Sequence, residues 1–231
     1  MKEIVGIVRK SEQGMSSPFL CRADDNELYW CKGALSGMTT LRAECICANM
    51  AKVLQLPIPP FEIMHVDYEL ARESKVEFAS QFVSPMNCYV FASKHIDNAA
   101  DLMKEHLKGR ILDAILGVRI LLFDGLIHNT DRSIVNSNIL SSKDELWIID
   151  HNNAFSSSWD EKEFLTDHIF GSCYMWAKDI DYSDFLSLLK SPDILNIVSR
   201  CWAEMPSEWI DAEDGLTLDA IMSTIRAFKE P

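Results

Sequence analysis

Weak alternation of apolar and polar positions predicts a strand over residues 4–8, and a short apolar run predicts another over 19–22. A third, over 27–32, follows the turn formers Asp24, Asp25 and Asn26, so the three read as a meander. Thr39 and Thr40 then cap a predicted helix: Leu41, Cys45, Ala48, Val53 and Leu56 recur at roughly helical spacing, and Pro57 stops it. Residues 59–66 and 76–83 are the next predicted strands, separated by the charged stretch 67–75, which suits an exposed hairpin connection. Beyond Ser84 and Pro85 the period becomes helical, and helices are predicted over 98–107, 109–128, 182–189, 192–203 and 216–228. Within that half, residues 128–155 form a non-helical island of two short strands, 138–140 and 146–149, flanking a loop. The pattern predicts an α+β fold with two lobes: residues 1–84, an antiparallel sheet with one helix, and residues 85–231, mainly helical.

Composition narrows the class. A chain of 231 residues can bury most of its apolar surface, and 48% hydrophobic with 25% charged residues is the balance of a globular protein rather than a disordered one. The formal charge of −13 repels phosphate backbones and anionic lipid, and no Lys/Arg run offsets it, so neither nucleic acid nor membrane is an expected partner. The longest apolar stretch, residues 111–122, contains Asp113 and Arg119 and is too short to span a bilayer. The N-terminus lacks the apolar stretch and cleavage site of a signal peptide. The seven cysteines (Cys21, Cys31, Cys45, Cys47, Cys88, Cys173, Cys201) are scattered, without zinc or redox spacing. Reduced, buried thiols in a cytoplasmic protein are the expectation.

The island carries the candidate chemistry. Phosphoryl transfer needs a base for the attacking hydroxyl, oxygen ligands for magnesium and a lysine on the phosphates. Asp131 precedes Asn136 at the spacing of a kinase catalytic loop, and Asp150 ends an apolar strand where a second metal-binding carboxylate belongs. Upstream, Lys32 closes the third predicted strand and Glu44 lies in the helix that follows. Taken singly, each has an ordinary alternative: Asp131 as a turn former, Asn136 and Asn138 as caps of local backbone, Lys32 and Glu44 as surface charges. Their joint order and spacing favour the phosphotransfer reading.

The segments YWCKG, LRAECICANMAKVLQLPIPPFEI, FASQFVSP, NTDRSIVNSNIL and LWIIDHNNAF resemble the HipA-like kinases over most of residues 15–160. The DR-x-x-x-N element followed by Ile-Asp also resembles phosphatidylinositol kinases, which share the superfold. The resemblance implies a two-lobed kinase fold that binds Mg-ATP between its lobes and phosphorylates a Ser/Thr hydroxyl of a protein, as a growth-inhibiting toxin with an antitoxin partner. It implies that Lys32 contacts the nucleotide phosphates with Glu44 orienting it, that Asp131 is the catalytic base, and that Asn136 and Asp150 hold Mg2+. It further implies that residues 14–18, with Ser16 and Ser17, cover the phosphates, and that the backbone of Gln81, Phe82 and Val83 is the hinge on adenine. The chain departs from the family in having a single glycine in GMSSP and Asn152 where the glycine of His-Gly is usual.

Other readings use the same residues: a catalytically weak nucleotide-binding interaction module, or a kinase acting on a small molecule or lipid headgroup. Arg132 reads as a ligand for the loop or a phosphate, or as half of a structural ion pair. His128 and His151 read as packing or supporting hydrogen bonds. The aromatic residues Trp159, Phe164, Phe170, Tyr174 and Trp176 read as packing or as a substrate-recognising segment.

Overall fold

Side chains at every second position build the first core. In the computed structural model, which describes residues 1–12, 16–102, 111–142, 145–172, 181–213 and 215–228, Phe19, Cys21 and Ala23 of β2 (Phe19–Ala23) and Tyr29 and Cys31 of β3 (Leu28–Lys32) are buried together. Ile4 of β1 (Glu3–Lys10), Met64 and Val66 of β4 (Phe61–Val66), and Val90 and Ala92 of β5 (Tyr89–Lys94) complete the cluster. A strand's side chains point alternately to its two faces, so these positions share one side of the sheet. The strands close into a barrel in the order β1-β2-β3-β5-β4. All pairings are antiparallel except β1 with β4, which run parallel at Glu3/His65 and Ile4/Val66.

Helix α1 (Met38–Val53) follows β3, and Gln55, in the left-handed conformation at φ 55°, lies just beyond its end. The expected strand over 76–83 does not form. The segment after β4 is the short helix α2 (Tyr68–Glu73), whose N-cap Asp67 accepts from the Glu69 amide, followed by a 3-10 turn over Ala79–Gln81. Val76, Phe82 and Val83 are apolar because they pack against the barrel core, not because they join its ladder. The fifth strand is β5, beyond Pro85, so the sheet extends past the expected boundary at residue 84.

The chain forms two compact units, divided otherwise than at residue 84. Unit 1 is Met1–Cys45, Pro59–Asp97 and Glu204–Gly215; unit 2 is Ile46–Ile58, Asn98–Ala203 and Leu216–Pro231. Unit 2 holds a three-stranded sheet of β6 (Ala100–Asp101), β7 (Ile139–Ser142) and β8 (Glu145–Ile148), in that order. Strand β6 stands where a helix over 98–107 was expected, the rest of which lies outside the described residues. The helices are α3 (Ile111–Leu126), α4 (Glu161–Asp167), α5 (Ser183–Leu189), α6 (Pro192–Glu204) and α8 (Leu218–Arg226), while α7 (Ser207–Ile210) falls in the unit 1 excursion. Among the described residues no helix is long and apolar enough to cross a membrane.

Candidate active site

Lys32 is the last residue of β3, and its register opposite Phe91 of β5 places it in the middle of the sheet. Its Nζ donates to Glu44 Oε1 of α1 at 2.5 Å, and both side chains are buried. The Lys32 and Glu44 expected to pair therefore do so, inside unit 1. Gly33 follows at a point of close approach: a Cβ there would sit 2.3 Å from the Phe82 carbonyl oxygen. Phe82 and Val83 thus support the end of β3 from within the core, stacked near Phe19. The residues expected as a hinge, Gln81, Phe82 and Val83, thus lie before β5, with Phe82 and Val83 buried in the core, and the chain passes from unit 1 to unit 2 after β5, between Asp97 and Asn98. Of the expected phosphate-covering loop, Gly14 lies outside the described residues. Ser16 is buried and its carbonyl accepts from Ser36 Oγ at 2.7 Å, which holds the loop against the turn after Lys32; Ser17 is left-handed at φ 47°.

Unit 2 organises its site around a buried charge. Asp124 is the lone carboxylate in the apolar second half of α3, and its side chain is fully buried against the Arg132 guanidinium. Asp124 Oδ2 accepts from Arg132 Nε at 2.7 Å and from His168 Nε2 at 3.0 Å; Oδ1 accepts from Asn129 Nδ2 at 2.9 Å and Arg132 Nη2 at 3.4 Å. Burial alone would raise the Asp124 carboxyl, but Arg132 and His168 outweigh it and hold it well below the usual carboxylate range. His168 accepts the Phe170 amide on Nδ1 at 3.1 Å, so Nε2 carries the proton that Asp124 receives. A second proton would have to face the Phe170 N–H. Burial accordingly pushes His168 below its ordinary value, with Arg132 adding to the effect and Asp124 opposing it.

This cluster shapes the loop. Arg132 Nη1 donates to the carbonyl of Asn138, just before β7, and at 3.2 Å to that of Ile149, just after β8. One side chain thereby fastens the residue beside Asp131 to the residue before Asp150. The Asn129 side chain accepts the Asp131 amide at 3.3 Å, and the Ile169 amide donates to the Arg132 carbonyl at 3.1 Å. Asp131 receives Asn136 Nδ2 on Oδ1 at 3.1 Å and Asn138 Nδ2 on Oδ2 at 3.1 Å. Both oxygens are anchored by neutral donors, and such a carboxylate can accept a proton from a hydroxyl laid against it. Between these anchors Ile134 and Val135 are exposed, Val135 at 97%.

Asp150 takes a left-handed backbone at φ 56°, an uncommon conformation for a non-glycine residue. The two expected metal ligands are chemically suited to magnesium, a hard cation that favours oxygen and is bound through one or two carboxylates. Asn136 directs its nitrogen to Asp131, which leaves its carboxamide oxygen as the end that could meet a cation. No cluster of three or more His, Cys, Asp or Glu able to hold a metal occurs among the described residues.

Asp124, Asn129, Asn138 and His168 were not singled out as site residues from the sequence. The signal for Asp124 was a carboxylate inside an apolar helix, which demands a buried partner. Arg132 resolves as half of an ion pair. His128 stacks on Trp159 at 4.5 Å and Trp159 packs on Phe164 at 4.4 Å, so these aromatics serve as packing. His151 is buried edge-on against Phe123. Tyr174 and Trp176 lie outside the described residues.

Comparison with known proteins gives the family and the fold. A family model described as HipA-like kinase matches residues 4–230, and the chain belongs to that family. Its fold is protein-kinase-like and its activity class is that of a kinase-type phosphotransferase. Among solved structures it resembles the proinflammatory kinase CtkA of Helicobacter pylori, with TM-score 0.53 and 13% identity over 93% of this chain and 88% of that one. It also resembles the Golgi casein kinase, with TM-score 0.54 and 12% identity over 98% of this chain and 72% of that one. No curated protein matches the chain by sequence.

Proposed function

We propose that this kinase transfers the terminal phosphate of Mg-ATP to a Ser or Thr hydroxyl of a protein, with Asp131 as the base. The observation that carries the reading is the double anchoring of the Asp131 carboxylate by Asn136 and Asn138, on a loop fixed by the Arg132–Asp124 pair. Catalysis of this class is mostly positioning and charge stabilisation, so a rigid carboxylate beside a rigid backbone is the arrangement it needs. Asp131 orients the acceptor hydroxyl and takes its proton as the oxygen attacks. Lys32, held by Glu44, places a cationic nitrogen on the phosphates. Asn136 and Asp150 would hold Mg2+, which when bound offsets the charge on the phosphate oxygens.

The charge of −13 argues against a nucleic acid or an anionic lipid surface as partner and leaves a protein hydroxyl as the favoured acceptor. Family membership supports a growth-inhibiting role with an antagonist protein as partner. The test incubates the purified chain with Mg-ATP and a bacterial lysate and maps new phosphosites by mass spectrometry. New phosphoserine or phosphothreonine that depends on both Asp131 and Asp150 supports the reading. Binding of ATP without any phosphorylated protein would point instead to a small-molecule acceptor or an interaction module.

A further inference from the structure

Helix α1 buries two charged side chains near the middle of its first half, Arg42 at 1% exposure and Glu44 at 3%. Residues two apart on a helix point to nearly opposite faces. Glu44 reaches Lys32, and Arg42 reaches the other way: its Nε donates to the Trp209 carbonyl at 2.6 Å and its Nη2 to the Ala212 carbonyl at 2.7 Å. Both carbonyls belong to Glu204–Gly215, the excursion that joins unit 1 although the chain on either side belongs to unit 2. Trp209 is fully buried, and its Nε1 donates to Asn87 Oδ1 at 3.2 Å. Asn87 also accepts the amide of Tyr89, which begins β5, and directs its Nδ2 to the sulfur of Met38, which begins α1. The excursion is therefore fastened both to α1 and to the entry of β5.

We infer that Glu204–Gly215 is a built-in clamp that sets the position of α1 and so holds Glu44 on Lys32, which makes Arg42 and Trp209 positioning residues for phosphoryl transfer. The catalytic consequence rests on the function proposed above; the mechanical one does not. A buried guanidinium needs its acceptors, and shifting α1 by even one residue, about 1.5 Å, would pull Arg42 off both carbonyls. In kinases the lysine–glutamate pair must be in place for transfer, and the position of this helix is a common point of control. Here the group that fixes the helix is part of the same chain.

The test measures how fast Lys32 is acylated by an amine-reactive reagent, read by peptide mass spectrometry on the full chain without nucleotide. Arg42→Lys keeps the charge but gives up the forked geometry, and Trp209→Phe keeps the ring but removes the bond to Asn87. Each is compared with Ile194→Ala, a core variant ten residues before the clamp that lowers melting temperature while keeping Arg42, Trp209 and Asn87. We expect Lys32 acylation to rise about tenfold in Arg42→Lys and less in Trp209→Phe, with no change in Ile194→Ala. Added to Glu44→Gln, Arg42→Lys should raise acylation no further, because it acts through that residue. Unchanged acylation in both folded clamp variants, or effects of Arg42→Lys and Glu44→Gln that multiply, would overturn the clamp. Faster Lys32 acylation in the clamp variants, when the unmutated chain itself phosphorylates nothing, would keep the clamp and sink the proposed phosphotransfer instead.

Discussion

The two units hold their buried charges differently. In unit 1 the Lys32–Glu44 pair joins two elements, β3 and α1, across a sequence gap bridged by one turn. In unit 2 the Asp124–Arg132 pair gathers α3, the 129–136 loop, the residue before β7, the residue after β8 and the residue after α4. The first is a strut whose register depends on where a helix lies; the second is a hub whose loss would release every segment around Asp131. The proposed phosphoryl transfer, which is nearly all positioning, would use both: Asp131 as a fixed base, and Lys32 as a cation that can be brought into place.

Removing the hub should have the largest effect. Asp124→Ala leaves Arg132 buried without its carboxylate, a loss of about 3–5 kcal/mol in unit 2 stability, measured by denaturant unfolding. Glu44→Gln should cost less, about 1–2 kcal/mol, because the substituted amide oxygen can still accept from Lys32, while transfer still falls at least tenfold. If the two variants lose the same stability, the distinction between hub and strut fails.

A smaller effect separates the halves by pH. His168 is held neutral in the folded state with its value depressed, so the unfolded chain binds more protons as pH falls through the ordinary histidine range near 6.5. Stability should thus be full above about pH 7 and decline toward pH 5; burial depresses the partly buried His128 too, and it adds in the same sense. Asp124 contributes nothing to that decline. Its depressed carboxyl stays charged there, and its stabilisation is lost only in stronger acid, below the ordinary carboxylate range near 4. His168→Asn should flatten most of the slope between pH 7 and 5 in urea titrations; an unaltered slope would remove His168 from the hub.

The proposed catalytic residues stood out in the sequence because they sit at fixed spacings on local elements. Lys32 ends a strand, Glu44 follows in the next helix, and Asp131, Asn136 and Asp150 bracket a β-hairpin that the turn residues announce. The hub was only half legible: a carboxylate inside an apolar helix announces a buried partner, but nothing in the sequence says that one of its partners is His168, 44 positions on. The segment 76–83 misled for a physical reason: apolar residues that cover a barrel from outside its ladder look like a strand in a sequence. The last strand of the barrel in chain order, β5, begins beyond Pro85 instead. The clamp was equally hidden, as Arg42 binds backbone carbonyls that any sequence could offer.

The measurement that bears most directly on Asp131 as the base is the rate of phosphate transfer from Mg-ATP to lysate protein by the unmutated chain and by Asp131→Asn, at equal ATP occupancy and matched melting temperature. Loss of a positioned base predicts a fall of about 10²–10⁴-fold in the variant with ATP binding retained. Equal rates in the two proteins would contradict the assignment.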